Sequence, residues 1–183
     1  MKHICIHTDG ACSGNQNENN VGGWGAVLEY REHRKELFGG EVNTTNNRME
    51  MTALLSALEA LKGDGLLISV FSDSSYLMNC FREKWYENWE KNHWLTAKKT
   101  PVENRDLWEK LLSQIRRHQI SFYRVKGHVN LKSSKTDVDA LYKKFLEWNG
   151  ATFSREDFLH ITEENNMADS LANKGIAEIR TSL

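Results

Sequence analysis

A short, uninterrupted apolar segment, residues 66–72, constrains the fold of this chain more than any other feature of its sequence. Glycines precede it and Asp73-Ser74-Ser75 follows it, so residues that favour turns and helix caps mark both of its ends. A strand that is apolar on both faces has to be covered on both faces, as in the interior of a sheet flanked by helices. The sequence therefore predicts an interior strand that ends directly before Asp73.

The rest of the chain predicts further strands and helices around this one. Strand-like patterns occur in four other segments, at residues 4–8, 24–30, 35–42 and 120–125. Helical periodicity occurs in three segments, at residues 47–62, 104–118 and about 165–179. Strands first, then alternating helices and strands, indicate an α/β or α+β sheet flanked by helices.

Length and composition favour one cytoplasmic domain. With 183 residues, 39% of them hydrophobic, the chain can bury one good core. It has no apolar run long enough to span a bilayer and no secretory leader, so we expect no membrane association. The three cysteines lack metal-type spacing and are expected to be reduced. The net charge of −1 is unusual for a nucleic-acid binder, but residues 82–117 hold nine Lys/Arg against six Asp/Glu.

Four acidic residues occupy positions that suggest chemistry. Asp9 and Asp73 each follow a predicted strand, whereas Glu50 and Asp169 share the apolar stripe of a predicted helix. If the two strands are neighbours, the carboxylates meet at one edge of the sheet, where open sheets bind ligands. Because clustered carboxylates repel each other, a cation has to offset them. Oxygen ligands suit Mg²⁺ or Mn²⁺, and two such ions support in-line phosphodiester hydrolysis.

Each acid also has an ordinary structural interpretation. Asp9 fits a turn and Asp73 an N-cap, while Glu50 and Asp169 fit the first turn of a helix, where they would complement its dipole. Taken together these explanations are weak, because four coincidences at one sheet edge are required. Another group, His3, Cys5 and His7, shares a strand face and could suggest a soft-metal site, but an ordinary strand face is favoured.

Five segments, in this order, resemble the signature segments of type 1 ribonuclease H. They are TDGAC at 8–12, TTNNRMEMTALLSAL at 44–58, FSDSSY at 71–76, VKGH at 125–128 and NNMADSLAN at 165–173. The resemblance implies an α/β fold, a ribonuclease H-like five-stranded mixed sheet flanked by helices on both faces. It also implies an endonuclease that hydrolyses the RNA strand of RNA–DNA hybrids by two-metal-ion cleavage, leaving 3′-hydroxyl and 5′-phosphate ends. A binding module without catalysis would lack one of the acids, and other nucleases of the superfamily lack TTNNRME.

The resemblance also assigns roles in catalysis. It makes Asp9, Glu50, Asp73 and Asp169 the ligands of two Mg²⁺ ions, for which Mn²⁺ could substitute. His128 corresponds to a mobile-loop histidine that assists proton transfer or product release, although a solvated loop residue is the ordinary alternative.

The substrate-binding roles that the resemblance implies fall into three groups. A tryptophan-rich basic protrusion at 82–99, with Trp85 and Trp89, would grip the DNA strand, unless these tryptophans are simply core. Thr45 and Asn104 would form a pocket for a DNA phosphate. RNA 2′-hydroxyls would be contacted by a set of residues around the acids, namely Gly10, Cys12, Asn15, Asn46, Glu50 and Ser75. Asn46, Asn47 and Arg48 could otherwise be helix-capping residues.

The chain departs from the family between His128 and Asp169, where the family usually has a short loop. Residues 129–164 form an insertion with two capping patterns, at Thr136 and Ser154, and a stop signal at Gly150. We predict one or two helices beside the active site, acting either as a lid or as an inert addition. We expect a single domain over 1–183, a monomer without an obligate protein partner.

Overall fold

The computed structural model describes residues 3–14 and 20–183 and is built on one mixed sheet. Its strands are β1 (His3–Ser13), β2 (Val21–Tyr30), β3 (His33–Val42), β4 (Leu67–Ser72) and β5 (Gln119–Arg124). They lie in the order β3-β2-β1-β4-β5. The first three pair antiparallel, and β4 pairs parallel with both β1 and β5. The predicted five-stranded mixed sheet is confirmed.

Six helices within the described residues flank the sheet. They are α1 (Asn46–Glu59), α2 (Ser75–Arg82), α3 (Trp85–Lys91), α4 (Arg105–Ile115), α5 (Val138–Asn149) and α6 (Arg155–Ser182). None of the described helices is both long enough and apolar enough to cross a membrane.

Strand β4 is buried on both faces, as its apolar sequence predicts. Ile68 and Val70 belong to the larger core, which α1, α2 and α4 cover, and both are 0% exposed. Phe71 belongs to a second core on the other face, where its ring stacks on Tyr123 with centroids 5.2 Å apart. The alternation of side chains along a strand therefore supplies apolar groups to two separate helical layers.

The insertion forms most of the second core. Phe145 of α5 and Phe158 of α6 are buried there, with ring centroids 5.3 Å apart, and both belong to residues 129–164. Burying two phenylalanines contributes roughly 3–6 kcal/mol before other terms are counted. The insertion is thus an integral layer of the fold that covers Phe71 and Val125 at the end of the sheet nearest Asp73.

The helix boundaries in this region differ from the prediction. The last helix begins at Arg155 rather than near Asn165, because Ser154 and Asp157 form a complete capping box with both hydrogen bonds at 3.0 Å. The second insertion helix is therefore the first part of α6. Helix α5 is capped by Asp137, one residue after the predicted Thr136, and it ends at Gly150, whose φ of 91° suits glycine.

Candidate active site

Three carboxylates meet where β1 and β4 separate. Ligand oxygens of Asp9, Glu50 and Asp73 all lie within 4.8 Å of one another. Asp73 directly follows β4, as predicted. The prediction that Asp9 ends its strand is wrong, because β1 continues to Ser13 in its pairing with β2. The parallel pairing of β1 with β4 does stop at Thr8, so Asp9 still lies at the edge between them.

Close packing of α1 on β1 brings Glu50 to this edge. A Cβ atom added to Gly10 would lie less than 3.0 Å from the backbone nitrogen of Glu50, so only glycine allows the helix to approach this closely. Glu50 lies beyond the first turn of α1, which contains no acid. The helix-dipole interpretation of this residue therefore fails.

Asp169 reaches the cluster from the middle of α6. The helix lies so close to β2 that Cβ atoms on Gly23 and Gly25 would clash with the carbonyl oxygens of Ala172 and Ala168. Asp169 is near enough to interact with the Asp9 carboxyl group. It lies fourteen residues after the first residue of α6, Arg155, so the first-turn interpretation is wrong here too.

The cluster is electrostatically strained without a cation. Burial, followed by the charges of Glu50 and Asp73, raises the pKa of Asp9 to about 11. Burial and the charge of Asp73 raise the pKa of Glu50 to about 8, and burial also raises the pKa of Asp73. One oxygen of Glu50, Oε2, is buried without a hydrogen-bond partner among the described residues. Oxygen-only donors with an unused lone pair fit a hard divalent cation such as Mg²⁺.

His128 stands at the rim of the cluster. Its side chain is 77% exposed, and its Nδ1 atom lies 3.8 Å from Oδ2 of Asp169. Its backbone has a φ of 57°, in the left-handed region. The residue before it, Gly127, lies against the Asp73 carboxylate. Sequence reasoning did not assign a role to Gly127, although the VKGH segment contains it.

An open cleft of about 380 Å³ surrounds the acids. Four of the residues predicted to contact RNA, Gly10, Cys12, Asn46 and Glu50, line it, together with Ala11 of the same backbone segment and with Asn47 and Ser74, which were not predicted to have this role. Ser75 begins α2 and is not among the cleft residues in the described part of the chain. Asn15 lies outside the described residues. Ser74, rather than Asp73, is the N-cap of α2.

The predicted phosphate pocket lies along one side of α1. Thr45 is the N-cap of α1, and its hydroxyl accepts a hydrogen bond of 3.2 Å from the backbone of Arg48. The Arg48 guanidinium donates to the Asn104 side chain at 3.0 Å and makes two bonds to Asp106. Arg48 thus links Thr45 and Asn104 and brings a positive charge to this pair. A capping role for residues 46–48 would not account for that charge.

The two tryptophans of the protrusion have different surroundings. Trp89 packs edge-on against the fully buried Trp108, with centroids 5.2 Å apart. Trp85 donates a hydrogen bond of 2.6 Å to Glu83 and contacts Tyr76, which is 40% exposed. Both are half-buried and pack against the larger core, but Trp89 contacts the fully buried Trp108, whereas Trp85 contacts a surface aromatic residue as well.

The histidines of β1 have separate partners rather than a shared site. His3 bonds Ser69 at 2.8 Å, whereas His7 donates to Glu29 at 2.6 Å. Glu29 also accepts from His160 at 2.7 Å. The neighbouring acid Glu164 is bound by Arg34 through two hydrogen bonds. The favoured interpretation, an ordinary strand face, agrees with these contacts.

Comparison with known proteins identifies the family. The model of the RNase H family matches residues 1–147, which is most of the chain. Ribonuclease H of Moorella thermoacetica is 55% identical over 128 residues, covering 70% of this chain and 82% of that protein. The chain therefore belongs to the ribonuclease H family. The family match ends inside the insertion, before Asp169. The position of Asp169 next to the other acids is therefore supported by the fold and not by the family match.

Solved structures agree on the architecture. LC9-RNase H1, described as a type 1 RNase H with the type 2 active-site motif, superimposes with a TM-score of 0.70 at 21% identity, covering 97% of this chain and 73% of that one. LC11-RNase H1 in complex with an RNA/DNA hybrid gives a TM-score of 0.55 at 19% identity, covering 96% and 98%. At these identities the likeness concerns the fold.

Proposed function

We propose that this protein is a ribonuclease H that hydrolyses the RNA strand of RNA–DNA hybrids and leaves 3′-hydroxyl and 5′-phosphate ends. The observation that carries the proposal is the convergence of three carboxylates within 4.8 Å, two buried and that of Asp73 half-buried, with Asp169 beside them. Bound cations relieve the repulsion in a cluster of this kind, and it opens into a cleft of about 380 Å³.

The four acids would hold two Mg²⁺ ions, and Mn²⁺ could substitute for them. Bound divalent ions supply an activated water and stabilise the leaving oxygen of an in-line displacement. Asp9 on β1, Asp73 directly after β4, Glu50 on α1 and Asp169 on α6 would supply the carboxylates that hold these ions. The rigid sheet edge keeps these carboxylates in place before substrate arrives, which lowers the cost of reorganisation.

His128 is suited to move a proton at the edge of the site. Its exposed imidazole lies beside Asp169, so it can exchange protons with solvent and with the 3′-oxygen that leaves. Its position at the rim of the cleft also suits product release.

Substrate choice would come from contacts that do not depend on base sequence. The cleft residues Gly10, Cys12 and Asn46 would contact RNA 2′-hydroxyls, and the same role is predicted for Asn15 and Ser75. Thr45 and Asn104, joined by Arg48, would hold a DNA phosphate. Trp85 of the protrusion would stack on the DNA strand.

A substrate panel tests the proposal directly. Labelled RNA–DNA hybrid, double-stranded RNA and double-stranded DNA are incubated with Mg²⁺, with Mn²⁺ or with a chelator, and the product ends are mapped. We expect cleavage of the hybrid's RNA strand alone, only with metal, and loss of activity in Asp73→Asn. Cleavage of double-stranded DNA, or full activity in Asp73→Asn, would reject the proposal. Sedimentation of the same preparation tests the predicted monomer.

A further inference from the structure

A second groove, of about 390 Å³, adjoins the active-site cleft at Asp169. It shares His128 and Asp169 with the active-site cleft. Its other residues come from the insertion or from α6, namely Val129, Asn130, Leu131, Lys132, Glu163, Asn166 and Ser170. The insertion therefore extends the substrate-facing surface beyond the cleft.

Residues 128–132 form one wall of this groove, and the loop that carries them, residues 128–136, is held in place by polar contacts. Asn166 of α6 donates a hydrogen bond of 2.8 Å to the Val129 carbonyl, three residues before Asp169. The Asn130 side chain accepts from the Lys132 backbone at 3.0 Å, and the Thr136 hydroxyl donates to the Asn130 carbonyl at 2.6 Å. A wall fixed in this way is preorganised, so a ligand need not order it on binding.

Lys132 is the cation available to a ligand in this groove. It is exposed, and no acid of the described residues lies within the 4.0 Å of an ion pair with it. The acids of the groove are Asp169, which belongs to the metal cluster, and Glu163. An unpaired lysine beside a bound strand gains a partner in a backbone phosphate, and binding then releases counterions from the nucleic acid.

We propose that this groove is a subsite for the RNA strand, in which the Lys132 ammonium binds a backbone phosphate close to the scissile one. This proposal rests on the proposed function, since it requires RNA at the acids. The strand that is cut has to pass the acids, and the groove adjoins them at Asp169. The DNA strand has its own predicted pocket at Thr45 and Asn104, on α1 and α4.

Charge-neutral substitutions test the contribution of Lys132. We expect Lys132→Gln to raise the KM for the hybrid by about threefold to fivefold with kcat unchanged, the size of one exposed ion pair. The slope of log KM against log salt should fall by about 0.9, the value for one phosphate. Glu163→Gln should shift KM in the opposite direction. Lys135→Gln is the matched control, because Lys135 belongs to the same loop but does not line the groove.

Single uncharged methylphosphonates, placed in turn around the scissile phosphate in each strand, locate the contact. With the wild-type protein, a methylphosphonate at one position of the RNA strand should raise KM by the same factor. With Lys132→Gln, the methylphosphonate at that position, and at no other, should leave KM unchanged. Coupling to a DNA-strand phosphate, or a Lys132→Gln effect no larger than that of Lys135→Gln, would overturn the subsite. A wild-type protein that cuts no hybrid would instead contradict the proposed function, so the two failures are distinguishable.

Discussion

Gly127 leaves no room for a side chain between its backbone and the Asp73 carboxylate. A Cβ atom at this position would lie less than 3.0 Å from Oδ2 of Asp73, and no backbone atom of another residue is among its nearest neighbours. The absence of a side chain therefore preserves the orientation of a predicted metal ligand. Because this neighbour is the end of a movable side chain, a larger residue at position 127 would displace the Asp73 carboxylate and leave the backbone in place.

We expect Gly127→Ala to lower activity strongly and stability little. A displaced Asp73 carboxylate should raise the Mg²⁺ concentration for half-maximal activity and reduce kcat by about 10- to 100-fold, the range seen when supports of metal ligands are lost. The melting temperature should change by only about 2 °C. Metal titrations and thermal melts check both expectations.

A double-mutant comparison is the control for this prediction. If Gly127 acts through Asp73, then Gly127→Ala should weaken Mg²⁺ binding, measured by calorimetry without substrate, in the wild-type protein but have little further effect on it in an Asp73→Asn background. Additive effects of the two substitutions would show that Gly127 has another role, for instance in the conformation of the loop that carries His128.

The repulsion among the acids predicts that the metal-free protein is more stable without one of them. The pKa of Glu50 is raised in the folded state to about 8, so this residue destabilises the fold increasingly as pH rises from about 4.5 to about 8. At pH 8, Glu50→Gln should therefore stabilise the metal-free protein by about 0.5–2 kcal/mol while abolishing cleavage. At pH 4 the gain should be small.

Urea denaturation at the two pH values, with and without Mg²⁺, measures this effect. Mg²⁺ should stabilise the wild-type protein more than the variant, because only the former keeps the full ligand set. Glu59→Gln, an exposed acid on the same helix, is the matched control and should show neither effect. A variant that is destabilised at pH 8 in the absence of metal would contradict the idea of a strained cluster.

Local patterns in the sequence predicted the sheet and most helices because each of them is encoded by consecutive residues. The apolar segment that became β4 and the capping box at Ser154 are examples. The start of α6 differs from the prediction because the capping pattern at Ser154 and the periodic segment near Asn165 belong to one helix, which begins ten residues before Asn165. Two adjacent segments can form one helix, and the packing of the first part of α6 against Phe71 and Val125 favours this outcome.

The metal acids could be proposed from their positions and from the resemblance, but their mutual arrangement could not. The arrangement depends on glycines that allow segments distant in sequence to approach closely, namely Gly10 at α1, and Gly23 and Gly25 at α6. The hydrogen bond from Arg48 to Asn104 joins residues 56 positions apart and could not be predicted from the sequence either. Such contacts require tertiary geometry that neither periodicity nor composition encodes.

The tryptophans of the protrusion should separate stability from substrate binding. Trp89→Ala removes packing against Trp108 and should cost about 2–3 kcal/mol of stability. Trp85→Ala should lower the melting temperature less than Trp89→Ala does, and it should raise the KM for the hybrid about fivefold, the lower range for one lost base stack. Thermal melts and steady-state kinetics of both variants decide the question. Equal losses of stability with an unchanged KM would assign both side chains to the core.

The contact of Glu29 with two histidines predicts an acid-sensitive link between β2 and the inserted part of α6. Burial raises the pKa of Glu29, but hydrogen bonds from His7 and His160 outweigh burial and lower it to about 2. A depressed carboxyl pKa stabilises the fold above the ordinary value near 4.5, and this contribution is lost as pH falls from about 4.5 to about 2. At pH 7, Glu29→Gln should therefore lower the melting temperature by about 2–4 °C.

The same substitution should have a smaller effect at pH 3, because this carboxyl group is then protonated in the unfolded chain and folding has to release the proton. Thermal melts at pH 7 and pH 3 compare the variant with Glu32→Gln, an exposed residue in the turn after β2 that should behave as wild type. His160→Ala removes only the hydrogen bond between Glu29 and α6. At pH 7 it should therefore lower the melting temperature by part of the amount that Glu29→Gln does. A destabilisation by Glu29→Gln that is equal at both pH values would show that the side chain contributes through packing rather than through its charge.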